Sequence, residues 1–219
     1  MKFRLAALAA LTAAGSVGVA GTAVAAHDTN PSDKVGNYAY GLTAVQSSSV
    51  PNAAAEGTTR VTSLPNGKVR VQVDARGLAP GLPHAMHLHG VDGPETDMAC
   101  PGPDADTDGD GFVSVPEGGP FYGGILASLT TTGDTTAASA LALDRFAVAD
   151  ADGHLEYSRT FRNDSALANA DTVQVVVHGI DVNGSGGYDL AGAGEAPLVP
   201  GSGIPFEATM PVLCGGVAN

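Results

Sequence analysis

Two of the chain's six histidines stand at i and i+2. In Met86-His87-Leu88-His89 the alternation places both imidazoles on one face of an extended strand, with β-carbons about 6–7 Å apart. That spacing lets two ring nitrogens reach one ion at about 2 Å. His178 closes the apolar run Val175-Val176-Val177-His178, where a ligand at a strand end would sit. Imidazoles in this pattern suit copper or zinc. His84 reads as a structural histidine bonded to backbone, and His154, just after a turn, as a solvated one.

A second chemistry lies in Asp106-Thr107-Asp108-Gly109-Asp110-Gly111-Phe112-Val113-Ser114-Val115-Pro116-Glu117. It fits a twelve-residue calcium loop. Asp106, Asp108 and Asp110 supply oxygens at positions 1, 3 and 5, and Gly111 makes the sharp turn. Phe112 offers its carbonyl, Ser114 holds a water, and Glu117 closes the site with two oxygens. Hard oxygen ligands on a flexible loop suit calcium better than magnesium. Pro103 before it, with Pro116, Gly118, Gly119 and Pro120 at its end, argues against flanking helices and against a helix-opening switch. A fainter echo, Asp181-Val182-Asn183-Gly184-Ser185-Gly186-Gly187-Tyr188-Asp189, lacks the closing acid because position 12 is Gly192, and it reads as an Asx/Gly turn.

The elements that must carry these residues are strands. Alternation with period two runs through 38–45, 58–64, 68–74, 84–89, 124–129, 140–148, 155–161, 173–178 and 207–213. Asn66-Gly67 marks a hairpin between the second and third. The weak helical stretch is 164–170. Residues 91–123, rich in Gly, Pro and Asp, form a long functional insertion between strands. Many short strands separated by turn signals predict an all-β sandwich or barrel.

Lys2 and Arg4 precede an uncharged apolar run ending in Ala23-Val24-Ala25, which predicts a cleaved export signal over residues 1–26. Cleavage after Ala26 would make His27 the N-terminus, whose amine and imidazole could brace copper; cleavage after Ala25 removes that geometry. Residues 27–219 then form one β domain of adequate size for a single core. Loss of the two signal bases takes the net charge from −13 to −15. Such acidity opposes binding to nucleic acid or to anionic membranes. Metal ions are the partners the residues imply, in an extracellular or cell-envelope setting. In an oxidising compartment Cys100 and Cys214 are expected to pair. The chain carries no Gly-Lys-Ser/Thr phosphate loop, Gly-x-Ser-x-Gly or His-Glu-x-x-His.

On these residues the chain resembles the copper/zinc superoxide dismutases. Leu78-Ala79-Pro80-Gly81 followed by His84-Ala85-Met86-His87-Leu88-His89 is similar to that family's strand, where a structural histidine precedes a copper-binding pair. Val176-Val177-His178-Gly179 is similar to its later copper site, 146–153 to a hairpin between the two, and Leu213-Cys214-Gly215 to the C-terminal half of its disulfide. The resemblance implies a Greek-key β-sandwich, copper on His87, His89 and His178, and Cys100 as the disulfide partner. The sequence departs from the family in two respects. No histidine lies between Cys100 and Gly124, where the bridging and zinc ligands belong, so no zinc site is expected. Pro211 stands where the family has an arginine that guides the superoxide anion. The same strand signature also resembles the CHRD (chordin-type) domain of secreted proteins. The reading that follows is a secreted module binding calcium and copper; the alternative is a copper-dependent superoxide dismutase with a reduced active site.

Overall fold

The computed structural model describes residues 35–92 and 98–216. The expected export signal and His27 lie outside the described residues. Eight strands carry the fold: β1 (Gly36–Ala44), β2 (Glu56–Leu64), β3 (Lys68–Arg76), β4 (Met86–Gly90), β5 (Gly124–Ser128), β6 (Leu155–Phe161), β7 (Gln174–His178) and β8 (Pro211–Gly216). They form one curled antiparallel sheet in the order β5-β4-β7-β8-β1-β2-β3-β6. Short pairing of β1 with β8 at Thr43 and Ala44 joins its two four-stranded halves. The two ends approach each other as well, because Tyr157 and Arg159 of β6 donate to the carbonyl of Thr130, just beyond β5. The expectation of an all-β sandwich or barrel of this type holds.

Period-two alternation explains why the sheet curls upon itself. In β3, Val69, Val71, Val73 and Ala75 are buried while the residues between them are exposed. Their cluster includes Val61, Leu155 and Phe161 on one half and Met86, Leu88, Val175, Val177 and Leu213 on the other. Two amphipathic faces therefore close on one core. β4 and β7 are buried on both faces. Their outer face is covered by long loops, and that is where the histidines emerge.

Three local expectations fail. Residues 140–148 form no strand: 3-10 turns span Ala137–Ser139 and Leu143–Arg145, and Val148 makes one isolated bridge to Pro83. Its apolar residues are not a sheet face, since Leu141 instead lines the pocket over the histidines. The Pro/Gly-rich stretch after the acidic loop, expected to lack a helix, forms α1 (Val115–Tyr122). Pro116 sits in the first turn, where its missing N–H costs nothing, and Ser114 with Glu117 makes a reciprocal capping box. The strand expected over 207–213 starts only at Pro211, because Phe206–Thr209 is a helical turn. The short helix expected after 164 is present as Asp164–Ala168.

The Cys100–Cys214 disulfide forms as expected, across 114 residues of sequence with Cα atoms 5.6 Å apart. It pins the 98–123 segment to β8 over the outer face, within a small cluster of Val45, Ala105, Val113, Tyr122 and Val176. Closing so long a loop stabilises by about 4–5 kcal/mol in the chain-entropy account.

Candidate metal centre

Strand register brings the three histidines together. On β4 and β7, His87 faces Val176 and Met86 faces Val177, and the His178 amide donates to the Ala85 carbonyl at 2.8 Å. Residues paired across antiparallel strands share a face. Val176 therefore shares the face of His87, and His178, two residues on, shares it too. Ring centroids of His87 stand 5.5 Å from His89 and 5.1 Å from His178, with 6.1 Å between the latter two. One ring nitrogen from each lies within 4.8 Å of the others. All three rings are buried, at 4, 2 and 3% exposure.

The second nitrogen of each ring shows which one is bare. His87 Nε2 meets the Ala140 carbonyl at 3.2 Å, His89 Nδ1 the Gly123 carbonyl at 2.9 Å, and His178 Nδ1 the Thr209 carbonyl at 2.7 Å. A carbonyl only accepts, so those nitrogens carry the hydrogen. That leaves His87 Nδ1, His89 Nε2 and His178 Nε2 as lone-pair nitrogens, and all three are buried without a hydrogen-bond partner. Burying one such acceptor unsatisfied costs about 1–3 kcal/mol; three in one cluster could hold a metal ion. Backbone carbonyls fixing each tautomer complete the pattern.

Electrostatics keep these nitrogens unprotonated. Burial, then the neighbouring His178 and His89, pushes the His87 ring well below its ordinary value. Burial and His178 lower His89 to about 3, and burial lowers His178 to about 4. At neutral pH the cluster is thus three neutral imidazoles, the form that binds metal. The residues fit a copper-type ion. His84 stands apart, fully buried, its ring between the carbonyls of Ala79 and His178.

Each orienting carbonyl comes from a different covering segment. Gly123 ends α1 at φ 79°, where a β-carbon would meet the Gly90 carbonyl oxygen at 2.6 Å, so glycine alone brings its carbonyl to His89. Buried Gln46 holds the segment leading into α1, accepting from the Val113 amide and donating to the Val113 and Pro211 carbonyls. Tyr122 packs its ring 4.5 Å from His89, and Phe146 stands edge-on to His87. A pocket of about 30 Å³ opens over the triad; apart from the histidines and Thr209 its lining is apolar, including Val115, Ile125, Leu141 and Leu198. Pro211 pairs with His178 across β7 and β8.

In the acidic loop, Asp106, Asp108 and Asp110 bring carboxylate oxygens within 4.8 Å of one another. Asp110 is raised, first by desolvation and then by Asp108, Asp106 and Glu117. Glu117 does not join that group. Its Oε1 accepts from the Thr107 and Asp108 amides, and its Oε2 from the Ser114 amide and hydroxyl. Burial works to raise its carboxyl, but these bonds outweigh it and hold it at about 2. Ser114 serves as the cap of α1.

The echo loop is built alike. Asp181 Oδ2 accepts from the Gly186 amide as Asp106 Oδ2 does from Gly111. Glu207 takes the place of the absent position-12 acid. It accepts from the Val182 amide at 2.8 Å and the Asp189 amide at 2.7 Å, loop positions 2 and 9. Glu117 bonds those same positions in the first loop, Thr107 and Ser114. A β-carbon on Gly192 would collide with Glu207 Oε1, so the glycine makes room for a fully buried carboxylate from elsewhere in the chain. Asn183 Oδ1 accepts from the Ser185 amide, closing an Asx turn inside the loop.

Sequence reasoning missed Glu207 and the three orienting carbonyls. A lone acid amid Ile204-Pro205-Phe206 and Ala208-Thr209-Met210 was the available signal for Glu207; a carbonyl leaves none. A third group, Asp74, His154 and Glu156, lies on the outer side of β3 and β6, with His154 Nε2 3.2 Å from Asp74 Oδ1. Among the described residues no helix is long and apolar enough to cross a membrane.

No protein-family model matches the chain, and no curated protein does. Among solved structures, the clock protein EA4 aligns over 81% of this chain and 92% of its own, at 16% identity and a TM-score of 0.39. A variant of Candida albicans superoxide dismutase 5 aligns over 81% and 88%, at 14% identity and 0.37. The Cu(II) form of that dismutase aligns over 64% and 82%, at 16% identity and 0.33. Likeness this slight carries neither activity nor ligand to this chain.

Proposed function

We propose that this chain is an exported metal-binding β module, related to the superoxide dismutases, that holds copper on His87, His89 and His178 and does not dismutate superoxide efficiently. The observation that carries this reading is the set of three buried, partnerless ring nitrogens, each with its tautomer set by a backbone carbonyl. Three nitrogen donors and the Irving–Williams order favour copper over competing divalent ions. Bound copper would supply one-electron redox chemistry and an open coordination position. The chain's own residues hold the ligands rigid, shut out bulk water and keep the imidazoles neutral.

The rival reading is a copper dismutase with a reduced site. It needs a cation beside the ligand-binding position to attract and stabilise the anion. Among the described residues the pocket lining contains none, and Pro211 supplies no charge. The module reading is therefore preferred.

Calcium on Asp106, Asp108 and Asp110 is the second part of the proposal, supported by the converging carboxylates. Recruiting Glu117 would require it to release the amides it now holds. Export is supported by the disulfide. The test is copper EPR with dismutation kinetics. Wild type should bind copper yet dismutate far below the diffusion limit, and His87→Ala should lose the Cu(II) signal. Near diffusion-limited turnover, lost in His87→Ala, would instead establish the enzyme.

A further inference from the structure

The pocket over the triad differs from what an anion-handling site requires. Its walls come from three covering segments: Val115 at the start of α1, Leu141 from the 3-10 region and Leu198 from the loop before the helical turn Phe206–Thr209, with Ile125 of β5 beneath. Among the described residues no lining side chain bears a charge. Arg145, the cation nearest in sequence to this wall, is tied to Ser139. Arg159 is spent on Thr130 and Gly133. The chain as a whole carries −13.

The pocket is also small. About 30 Å³ is room for about two water-sized groups above the nitrogens, so lining chemistry rather than size separates an anion from a neutral diatomic. An anion entering it would leave water for an apolar cavity and find no counter-charge other than the metal. A neutral molecule of two heavy atoms meets neither obstacle.

We propose that the triad pocket admits neutral, diatomic-sized ligands of the dioxygen class to the metal and excludes anions, superoxide included. The proposal rests on the copper reading above and assigns that site its ligand. Leu141 and Leu198 are the selecting residues; at 37 and 45% exposure they form the rim through which a ligand passes.

The experiment uses the full exported chain loaded with copper, its metal content measured first. Carbon monoxide is added to the Cu(I) form and read by its infrared stretch; azide is added to the Cu(II) form and read by EPR. The expected result is a carbonyl band on the Cu(I) protein and an EPR spectrum that azide leaves unchanged. Leu198→Arg, at a half-exposed rim position, should retain copper and gain an azide-dependent shift. An azide shift in the wild type, a missing carbonyl band, or a Leu198→Arg protein still blind to azide would each overturn the inference while leaving the copper site standing. Copper absent from the triad overturns the reading beneath it and the inference together.

Discussion

Mild acid should destabilise the metal-free protein steeply, at a pH where carboxylates stay ionised. His87, His89 and His178 are neutral when folded, with His89 held at about 3 and His178 at about 4. In the unfolded chain each titrates near its ordinary value of about 6.5. The folded values are depressed, so the stability is full above about pH 6.5 and is lost as pH falls towards the folded values. Between about pH 7.5 and 5.5 each ring costs about 1.4 kcal/mol, because the unfolded state gains one proton that the folded state refuses. Three rings give about 4 kcal/mol, a large share of a typical stability of about 5–15 kcal/mol. The lowered His84 acts in the same direction. Urea melts of chelator-stripped protein across this range would measure the slope, and His178→Gln should reduce it by about one proton. A stability curve flat from pH 7.5 to 5.5 would refute the claim that these imidazoles are buried and neutral.

Replacing both cysteines by serine should cost about 4–5 kcal/mol in urea unfolding, given the 114-residue separation; a loss below about 1 kcal/mol would deny the bridge its role. Glu207→Gln should destabilise by about 1–3 kcal/mol, since a side-chain NH2 would then face the Val182 or Asp189 amide; an unchanged denaturation midpoint would count against it. Calcium should raise the melting temperature, by the equivalent of about 2.7 kcal/mol at a hundredfold excess over Kd, and Asp108→Asn should blunt the gain. A melting curve indifferent to chelator would leave the acidic loop a purely structural turn.

Much of the site could be read from spacing alone. Alternation places His87 and His89 on one face, and the apolar run ending at His178 marks a buried strand that reaches the same face. What spacing cannot show is how the site is finished. Ala140 and Thr209 orient their rings through backbone carbonyls that other side chains could equally carry, and Gly123, though it must be glycine, is one of thirty in the chain, so the sequence does not mark it. The error at 140–148 has a related cause: apolar residues lining a pocket look like a strand's buried face, and only the covering loops distinguish them. The missed α1 shows a local rule applied too far: Pro116 suits the first turn, Ser114 with Glu117 supplies the cap, and this eight-residue helix carries Pro120 inside it as well. Glu207 closes its loop from outside it, a long-range contact no window over 181–192 contains.

The central claim is that His87, His89 and His178 hold copper through three imidazole nitrogens. X-ray absorption and nitrogen-resolved EPR on exported protein, with copper quantified per chain, test it most directly. The account predicts one copper per chain bound by three histidine nitrogens, with binding abolished in His178→Gln and unaffected in His154→Gln. Protein that stays copper-free under stoichiometric loading, or that binds copper equally well without His178, would contradict it.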